Sequence, residues 1–414
     1  MRISTQQLYR NGIANLGNAQ QELTKTQEQI SAGKKILSPA DDPVGASRVL
    51  RLNQELEQNS QFQKNVDLAQ SRLELEDGVL ESVTEVYQRV RELAIQSGDG
   101  ILSAADRNSI AQELRSRLDQ LKGLANSTDG RGEYLFGGFQ NTQAPFQQTP
   151  SGSVEYTSDE GRRFIQISSS VTIAGTDNGN SVFMDVKSAG TTICTDSSKS
   201  NTSSPPAHIT IGQVTDQAKL NAFAPEDMKI VFNDVNTVAP PGPNFSVFTV
   251  SDNRPIVTAQ PYTPGATINI EASGVQVEVQ GAPAVGDAFF VRTSDKQPVF
   301  DTLERFIDGL EQVNDTPEGR ATFSAMLDTT IANLDNAETA MLEVRTEVGA
   351  RLNTVEDTRA VLEDNEIILK ELRSKVEDLD YAKAISDLSF QSFVLQAAQQ
   401  TFSRVTGLSL FDQL

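Results

Sequence analysis

The side chains that usually carry chemistry are few in this sequence and badly spaced for it. There is one histidine, His208, set in a Ser/Pro-rich stretch from Ser203 to Ala207. A Ser-His-Asp triad or a multi-histidine metal centre therefore has nothing to build on, and the context predicts an exposed loop histidine. The single cysteine, Cys194, rules out an intrachain disulfide and reads as a buried or incidental thiol. Asp41 and Asp42 could be paired catalytic carboxylates or calcium ligands, but Pro43 follows them directly. Asp42 then fits a helix N-cap with Pro43 as the first helical residue. Gly130-Arg131-Gly132 and Phe136-Gly137-Gly138-Phe139 match neither a P-loop nor a dinucleotide fingerprint, so Gly137 and Gly138 are expected to reverse the chain. Sequons at Asn126, Asn201 and Asn244 read as chance matches. Nothing calls for a cofactor or a metal, and no constellation supports catalysis.

The elements that hold these residues are easier to read than any site. Of the 16 prolines, all but Pro39, Pro43 and Pro317 lie between Pro145 and Pro298, so both flanks are free of helix breakers over long distances. Leu16, Leu23, Ile30 and Leu37 recur every seven residues. After the interruption at Ser38 to Pro43, Leu52, Val66, Leu73, Leu80 and Tyr87 resume that interval, with polar Asn59 in the series. A third helix is expected from about Ala104 to Asn126, with Ile110, Leu114, Leu118 and Leu121 on one face. The C-terminal flank places Leu327, Leu334, Met341, Val348, Val355, Leu362, Leu369 and Val376 on one unbroken heptad stripe, which predicts a coiled-coil-like helix. Burying such a stripe is worth roughly 12–24 kcal/mol before ordering costs. A lone helix cannot collect that energy, so the N-terminal helices are its expected partners. Beyond Val376 the phase shifts to Tyr381, Leu388, Leu395 and Phe402, and the shift marks a boundary between packing layers.

The middle of the chain differs. Alternating or β-branched runs at Phe164–Val171, Lys229–Phe232, Phe245–Val250 and Thr267–Val279 are separated by turn-forming Asn, Gly and Pro segments. Thr191–Ala207, rich in Ser and Thr, is expected to be a mobile loop. The fold class is therefore mainly α with a β-rich insert. The expected form is a long antiparallel coiled-coil-like helical rod, built from the N- and C-terminal segments, with the β domain at its distal end. Residues 44–148 and 296–377 would form the rod, 149–295 the surface-exposed β domain, and 1–43 with 378–414 the terminal coiled-coil segments.

Composition agrees with a helical, non-catalytic protein. Aromatic residues make up 6% and Trp is absent, a thin supply for a compact enzyme core. The formal charge of −21 disfavours nucleic acid and anionic membranes as partners. No apolar run near the N-terminus has the length of a cleaved secretory signal, and none approaches a membrane span. Without disulfides, stability is expected to come from elsewhere, oligomerisation included.

Three stretches carry a family resemblance. Met1 to Thr5, the heptads from Leu16 to Ile30, and Ser31-Ala32-Gly33-Lys34-Lys35 leading to Ser38-Pro39-Ala40-Asp41-Asp42-Pro43 resemble the N-terminal region of the bacterial flagellin superfamily. Leu124 to Gly138, followed by Ala144-Pro145-Phe146, and the tail Ser409-Leu410-Phe411-Asp412 look like the hook-associated branch rather than flagellin itself. The resemblance implies an extracellular structural part of the flagellum at the hook–filament junction. It also implies export through the flagellar type III apparatus, with a chaperone covering the C-terminal helix. Implied partners are hook-associated protein 1, flagellin and further copies of the chain. A flagellin-like filament subunit is the alternative reading, and a secreted coiled-coil adhesin or effector a more distant one. The terminal segments are too short to hold a core alone. They are expected to be disordered in the monomer and to fold on assembly through Ile13, Leu16, Leu23, Ile30, Leu388, Leu395, Phe402, Leu410 and Phe411.

Overall fold

The computed structural model describes residues 5–99, 102–149, 152–313 and 316–411, with side chains throughout except at 5, 6, 8 and 405–411. The chain divides into two compact units. Unit 1 combines Met1–Val66 with Glu356–Leu414, and unit 2 is Asp67–Val355. Seven α-helices occur among the described residues: α1 (Thr5–Ala32), α2 (Pro43–Ser97), α3 (Ala104–Ala125), α4 (Gln217–Phe223), α5 (Val299–Gln312), α6 (Pro317–Glu377) and α7 (Tyr381–Phe411). The chain is mainly α with an antiparallel β insert, as the heptad flanks and the proline distribution predict.

Most heptad positions of α2 and α6 are buried, while Leu327, Leu369 and Val376 towards the ends of the α6 stripe are half-buried. Leu52, Asn59, Val66, Leu73, Leu80 and Tyr87 are all buried on α2, and Leu334, Met341, Val348, Val355 and Leu362 are buried on the 61-residue α6. Within each unit the two helices run antiparallel. In unit 1 Arg373 donates to Asn53 at 3.2 Å and Asn59 Nδ2 donates to the Leu362 carbonyl at 2.9 Å. In unit 2 Arg345 meets Asp77 at 2.9 Å and Arg91 meets Asp335 at 2.8 Å. Asn59 thus satisfies its buried amide across the seam. Such a polar residue in a core stripe fixes register at some cost in stability.

Helix ends follow local chemistry. The Asp42 carboxylate accepts from the Gly45 N–H at 2.9 Å, with Pro43 opening α2. Ser103 and Asp106 form a reciprocal capping box on α3. The phase shift after Val376 is a helix break: α6 ends at Glu377, and Asp380 Oδ1 accepts from the Lys383 N–H as α7 begins.

The insert holds thirteen strands among the described residues. In chain order they are β1 (Phe146–Gln148), β2 (Val154–Tyr156), β3 (Phe164–Gln166), β4 (Thr172–Ala174), β5 (Lys187–Ser197), β6 (His208–Ile209) and β7 (Gln213–Val214). After α4 come β8 (Met228–Phe232), β9 (Asn244–Thr249), β10 (Pro255–Pro261), β11 (Thr267–Ile270), β12 (Val275–Gln280) and β13 (Ala288–Lys296). A five-stranded antiparallel sheet has the order β10-β9-β8-β13-β5, and a smaller one the order β11-β12-β6 with β7 also on β12. Strands β1–β2 and β3–β4 form two hairpins. Along β8 the burial alternates residue by residue, with Met228, Ile230 and Phe232 inward against Val247, Phe289 and Tyr262.

Two expectations need correction. Thr191–Ala207 is not one mobile loop: its first part is β5, paired with β13, and Cys194 lies in that strand opposite Arg292. The Ser/Thr richness that suggested a loop suits a half-covered strand equally well. His208 is a strand residue in β6, paired with Gln280 and within 3.1 Å of the Gln280 side chain, rather than an exposed loop histidine.

Helix α5, which sequence periodicity did not single out, packs against α3 in unit 2 and anchors the sheet edge. Its buried Arg305 donates to the Gly212 carbonyl at 3.0 Å, to Thr192 Oγ1 at 2.7 Å and to the Ile193 carbonyl. One turn earlier, burial pushes the Asp301 carboxyl up to about 6. Replacing Arg305 with Met preserves bulk but leaves those acceptors without a donor. A loss of about 2–4 kcal/mol in unit 2 is expected, read as a lower denaturant midpoint, and an unchanged midpoint would show that the acceptors need no donor.

Candidate assembly interface

The resemblance directs attention to unit 1. Helices α1 and α7 pack along each other antiparallel. At one end the Tyr9 and Phe402 rings lie 5.0 Å apart. At the other, the Leu379 N–H donates to the Gly33 carbonyl at 3.1 Å and the Lys35 N–H to the Glu377 carbonyl at 2.7 Å. Gly33 has φ +69, and a Cβ there would sit 2.9 Å from the Tyr381 hydroxyl. Gly12 makes room for an aromatic in the same way, since a Cβ would come within 2.7 Å of the Phe402 ring. Glycine inside a helix costs about 1 kcal/mol relative to alanine, and here it allows the ring to lie on the α1 backbone.

The predicted heptad residues lie on this intrachain seam. Leu16, Leu23 and Ile30 on α1, and Leu388, Leu395 and Phe402 on α7, are half-buried, while Thr26 and Ala384 are buried on the same stripes. Ile13 lies outside the seam and is exposed. Leu410 and Phe411 fall in the last turn of α7, and their side chains lie outside the described residues.

A second apolar set remains uncovered, and apart from Ile13 and Tyr381 the sequence reading did not name it. Phe390 and Phe393 are 68% and 67% exposed, and Tyr9, Ile13, Tyr381 and Ile385 are about half exposed. Charge is scarce on the same surface. From Tyr381 to Phe411 the charged residues are Lys383, Asp387 and Arg404; from Thr5 to Ala32 they are Arg10, Glu22, Lys25 and Glu28. The pair is therefore almost neutral in a chain of net charge −21. A helix that is apolar on more than one face is a helix destined for burial, and depletion of charge with aromatic enrichment marks the centre of protein interfaces. The signal was available in the sequence, because Phe390, Phe393 and Val394 sit between the Leu388 and Leu395 heptad positions. A reading tied to a single stripe passes over them.

The connection between α1 and α2 is built from the quoted signature. Asp41 Oδ2 accepts from the Ser38 N–H at 2.9 Å, and Asp41 Oδ1 meets Lys25 Nζ at 2.6 Å. Lys25, with help from Ser38, lowers the Asp41 carboxyl to about 2. The two aspartates thus divide the work: Asp41 closes the loop onto α1 and Asp42 caps α2. Beside them Ile36, Leu37, Pro39, Ala46 and Leu50 line an apolar groove of about 500 Å³.

The second signature is a turn module in unit 2. Gly138 has φ +58, and a Cβ there would strike the Asp159 carbonyl. Asp159 in turn accepts from the Phe139 and Gln140 N–H groups at 3.0 and 2.8 Å. At Gly137 a Cβ would come within 2.9 Å of Asn141 Cα. Phe136, just before them, is fully buried edge-on to Phe183 at 5.3 Å. Among the described residues no group of three or more His, Cys, Asp or Glu side chains could hold a metal ion, and no helix is long and apolar enough to cross a membrane.

Comparison with known proteins defines the class. Residues 3–141 match the bacterial flagellin N-terminal helical region and residues 331–412 the flagellin C-terminal helical region, together more than half of the chain. The chain belongs to the bacterial flagellin family and is a structural protein of the flagellum. Its full-length similarity is to one branch of that family: it is 28% identical to flagellar hook-associated protein 3 of Salmonella typhimurium over 100% of this chain and 99% of that protein. The Escherichia coli hook-associated protein 3 is 27% identical over 100% and 99%. The crystal structure of hook-associated protein 3 from Legionella pneumophila superposes with a TM-score of 0.54 at 27% identity, covering 79% of this chain and 98% of that one.

Phe390→Ser with Phe393→Ser removes two exposed rings without opening a core cavity. Folding stability is expected to stay within about 0.5 kcal/mol, while cells that carry only this variant lose most of their filaments. Normal filament numbers would show that this face is not used in assembly.

Proposed function

We propose that this chain forms the layer that joins the flagellar hook to the flagellin filament. Its terminal helices are buried among neighbouring subunits there. The observation that carries the reading is the near-neutral α1–α7 pair, with aromatic side chains outside its own seam, in a chain similar over its full length to hook-associated proteins 3. Exposed Phe390 and Phe393 are costly to leave in water, and helical stacking of subunits removes that cost. In this layer hook-associated protein 1 lies on one side, flagellin on the other, and further copies of the chain complete the ring. The chain reaches this place outside the cell by type III export, with a chaperone covering the C-terminal helix in the cytosol. Its role is mechanical rather than catalytic.

The terminal segments 1–43 and 378–414 act as the assembly segments in this account, on the helical part of the chain (44–148 and 296–377), while 149–295 is the surface-exposed β domain. In the isolated monomer the single seam between α1 and α7 leaves Ile13, Ile385, Phe390 and Phe393 half or more exposed, which supports loose terminal helices before docking.

Deleting the gene and inspecting hooks and culture medium together tests the assignment. Bare hooks with flagellin spilled into the medium are the expected result. Bare hooks with no flagellin exported or spilled would instead make this chain the filament subunit, and normal filaments would overturn the flagellar role.

A further inference from the structure

Unit 2 contains a buried carboxyl that neither the assembly surface nor the sequence signatures use. Glu76 stands on α2 between Leu73 and Leu80, on the core side of the helix, and is fully buried. Its Oε1 accepts from the Asp177 N–H at 2.9 Å, and its Oε2 has no hydrogen-bond partner. The Asp177 side chain is itself buried and is held by Arg351 in two bonds of 2.8 and 3.1 Å.

We propose that Glu76 is a proton-operated latch: neutral, it holds the segment around Asp177 against α2 and α6, and ionised, it releases that segment.

The charges around Glu76 explain why it resists ionisation. From α6, Arg351 is committed to Asp177 and, at 2.9 Å, to Glu347. Arg162, from the connection between β2 and β3, reaches Asp177 at 3.5 Å. On α2 itself, Arg72 is drawn to Glu133 at 2.9 Å and to Asp129 at 3.7 Å, and Asp77 is taken by Arg345. Every nearby cation already serves another carboxylate. A second negative charge beside Asp177, on a carboxyl whose Oε2 has no donor, is costly in a low-dielectric interior. Burial first, and Asp177 second, push the Glu76 carboxyl up to about 8.

The segment held by Glu76 has wider contacts. Just after Asp177, the Gly179 N–H donates to the Phe136 carbonyl at 3.0 Å, and a Cβ at Gly179 would strike the Phe146 ring. Release at Asp177 therefore loosens the seat of the 136–146 turn module and of the Phe183 ring that packs against both phenylalanines.

The direction with pH follows from proton binding. The folded chain keeps a proton that the unfolded chain loses above the ordinary glutamate range. Stability of unit 2 therefore falls as pH rises from about 4.5 to about 8 and levels off beyond.

The experiment is a 13C titration of the Glu76 carboxyl in the full chain, its resonance identified by its loss in Glu76→Gln. Hydrogen exchange at residues 175–184 is followed in parallel and corrected for base catalysis. A midpoint near 8 is expected, with corrected exchange rising at least ~tenfold across it and staying flat in Glu76→Gln. Should that variant not fold, Arg162→Gln removes a nearby cation at a half-exposed site and must move the midpoint upward. A midpoint in the ordinary carboxylate range overturns the proposal. So does an equal rise in exchange in Glu76→Gln, or an unmoved midpoint in Arg162→Gln.

Discussion

The antiparallel seam between α2 and α6 is the constraint on which the rest of the molecule depends. Each helix is long because its heptad stripe meets no helix breaker, and neither could retain that length in water without the other. Once Asn59 meets Leu362 in unit 1, the flanking connections are placed for Asp42 to cap α2 and for Glu377 to receive Lys35. In unit 2 the same two helices, tied through Asp77 and Arg345, hold α3 through Arg89 and Glu113 and the insert through Asn333 and Arg351. The buried Asn59 amide and the Glu76 carboxyl are polar interruptions of the α2 core face, one in each unit. The first sets register, and the second ties in the Asp177 segment.

Charge is distributed as unevenly as hydrophobicity. Most of the net −21 resides away from the terminal helices, whose few charged side chains nearly cancel. An acidic body keeps subunits soluble and apart, while neutral ends can approach one another without electrostatic cost. The same ends expose aromatic rings that a monomer would otherwise bury. Net charge and exposed aromatic surface are thus assigned to different parts of one chain.

Much of this was legible because helical burial repeats every seven residues. Leu334, Met341, Val348, Val355 and Leu362 are named by their spacing alone, and each is buried. Asp42 and Pro43 were readable because an N-cap acts on residues three positions away. The strands at Lys229–Phe232 and Phe245–Val250 were visible by alternation. The failures share a different cause. Glu76 and Asp177 lie 101 residues apart, and Arg305 meets carbonyls about 90 to 110 residues earlier, so no local pattern could pair them. Still, an acidic residue between Leu73 and Leu80 on the core side of a heptad is a signal that can be sought. Strand β5 was hidden because Ser and Thr suit loops and half-covered strands alike. The outer face of α7 was missed because a search for one stripe stops when it finds one.

The central claim is that α1 and α7 are only half covered by the chain's own fold and become buried when subunits assemble. Hydrogen exchange over residues 5–32 and 381–404, compared between the free monomer and assembled flagella, tests it most directly. The account predicts fast exchange in the monomer and strong protection after assembly, with the 61-residue α6 protected in its central turns in both states. Terminal helices already protected in the monomer, or still exchanging freely in the assembled structure, would contradict it.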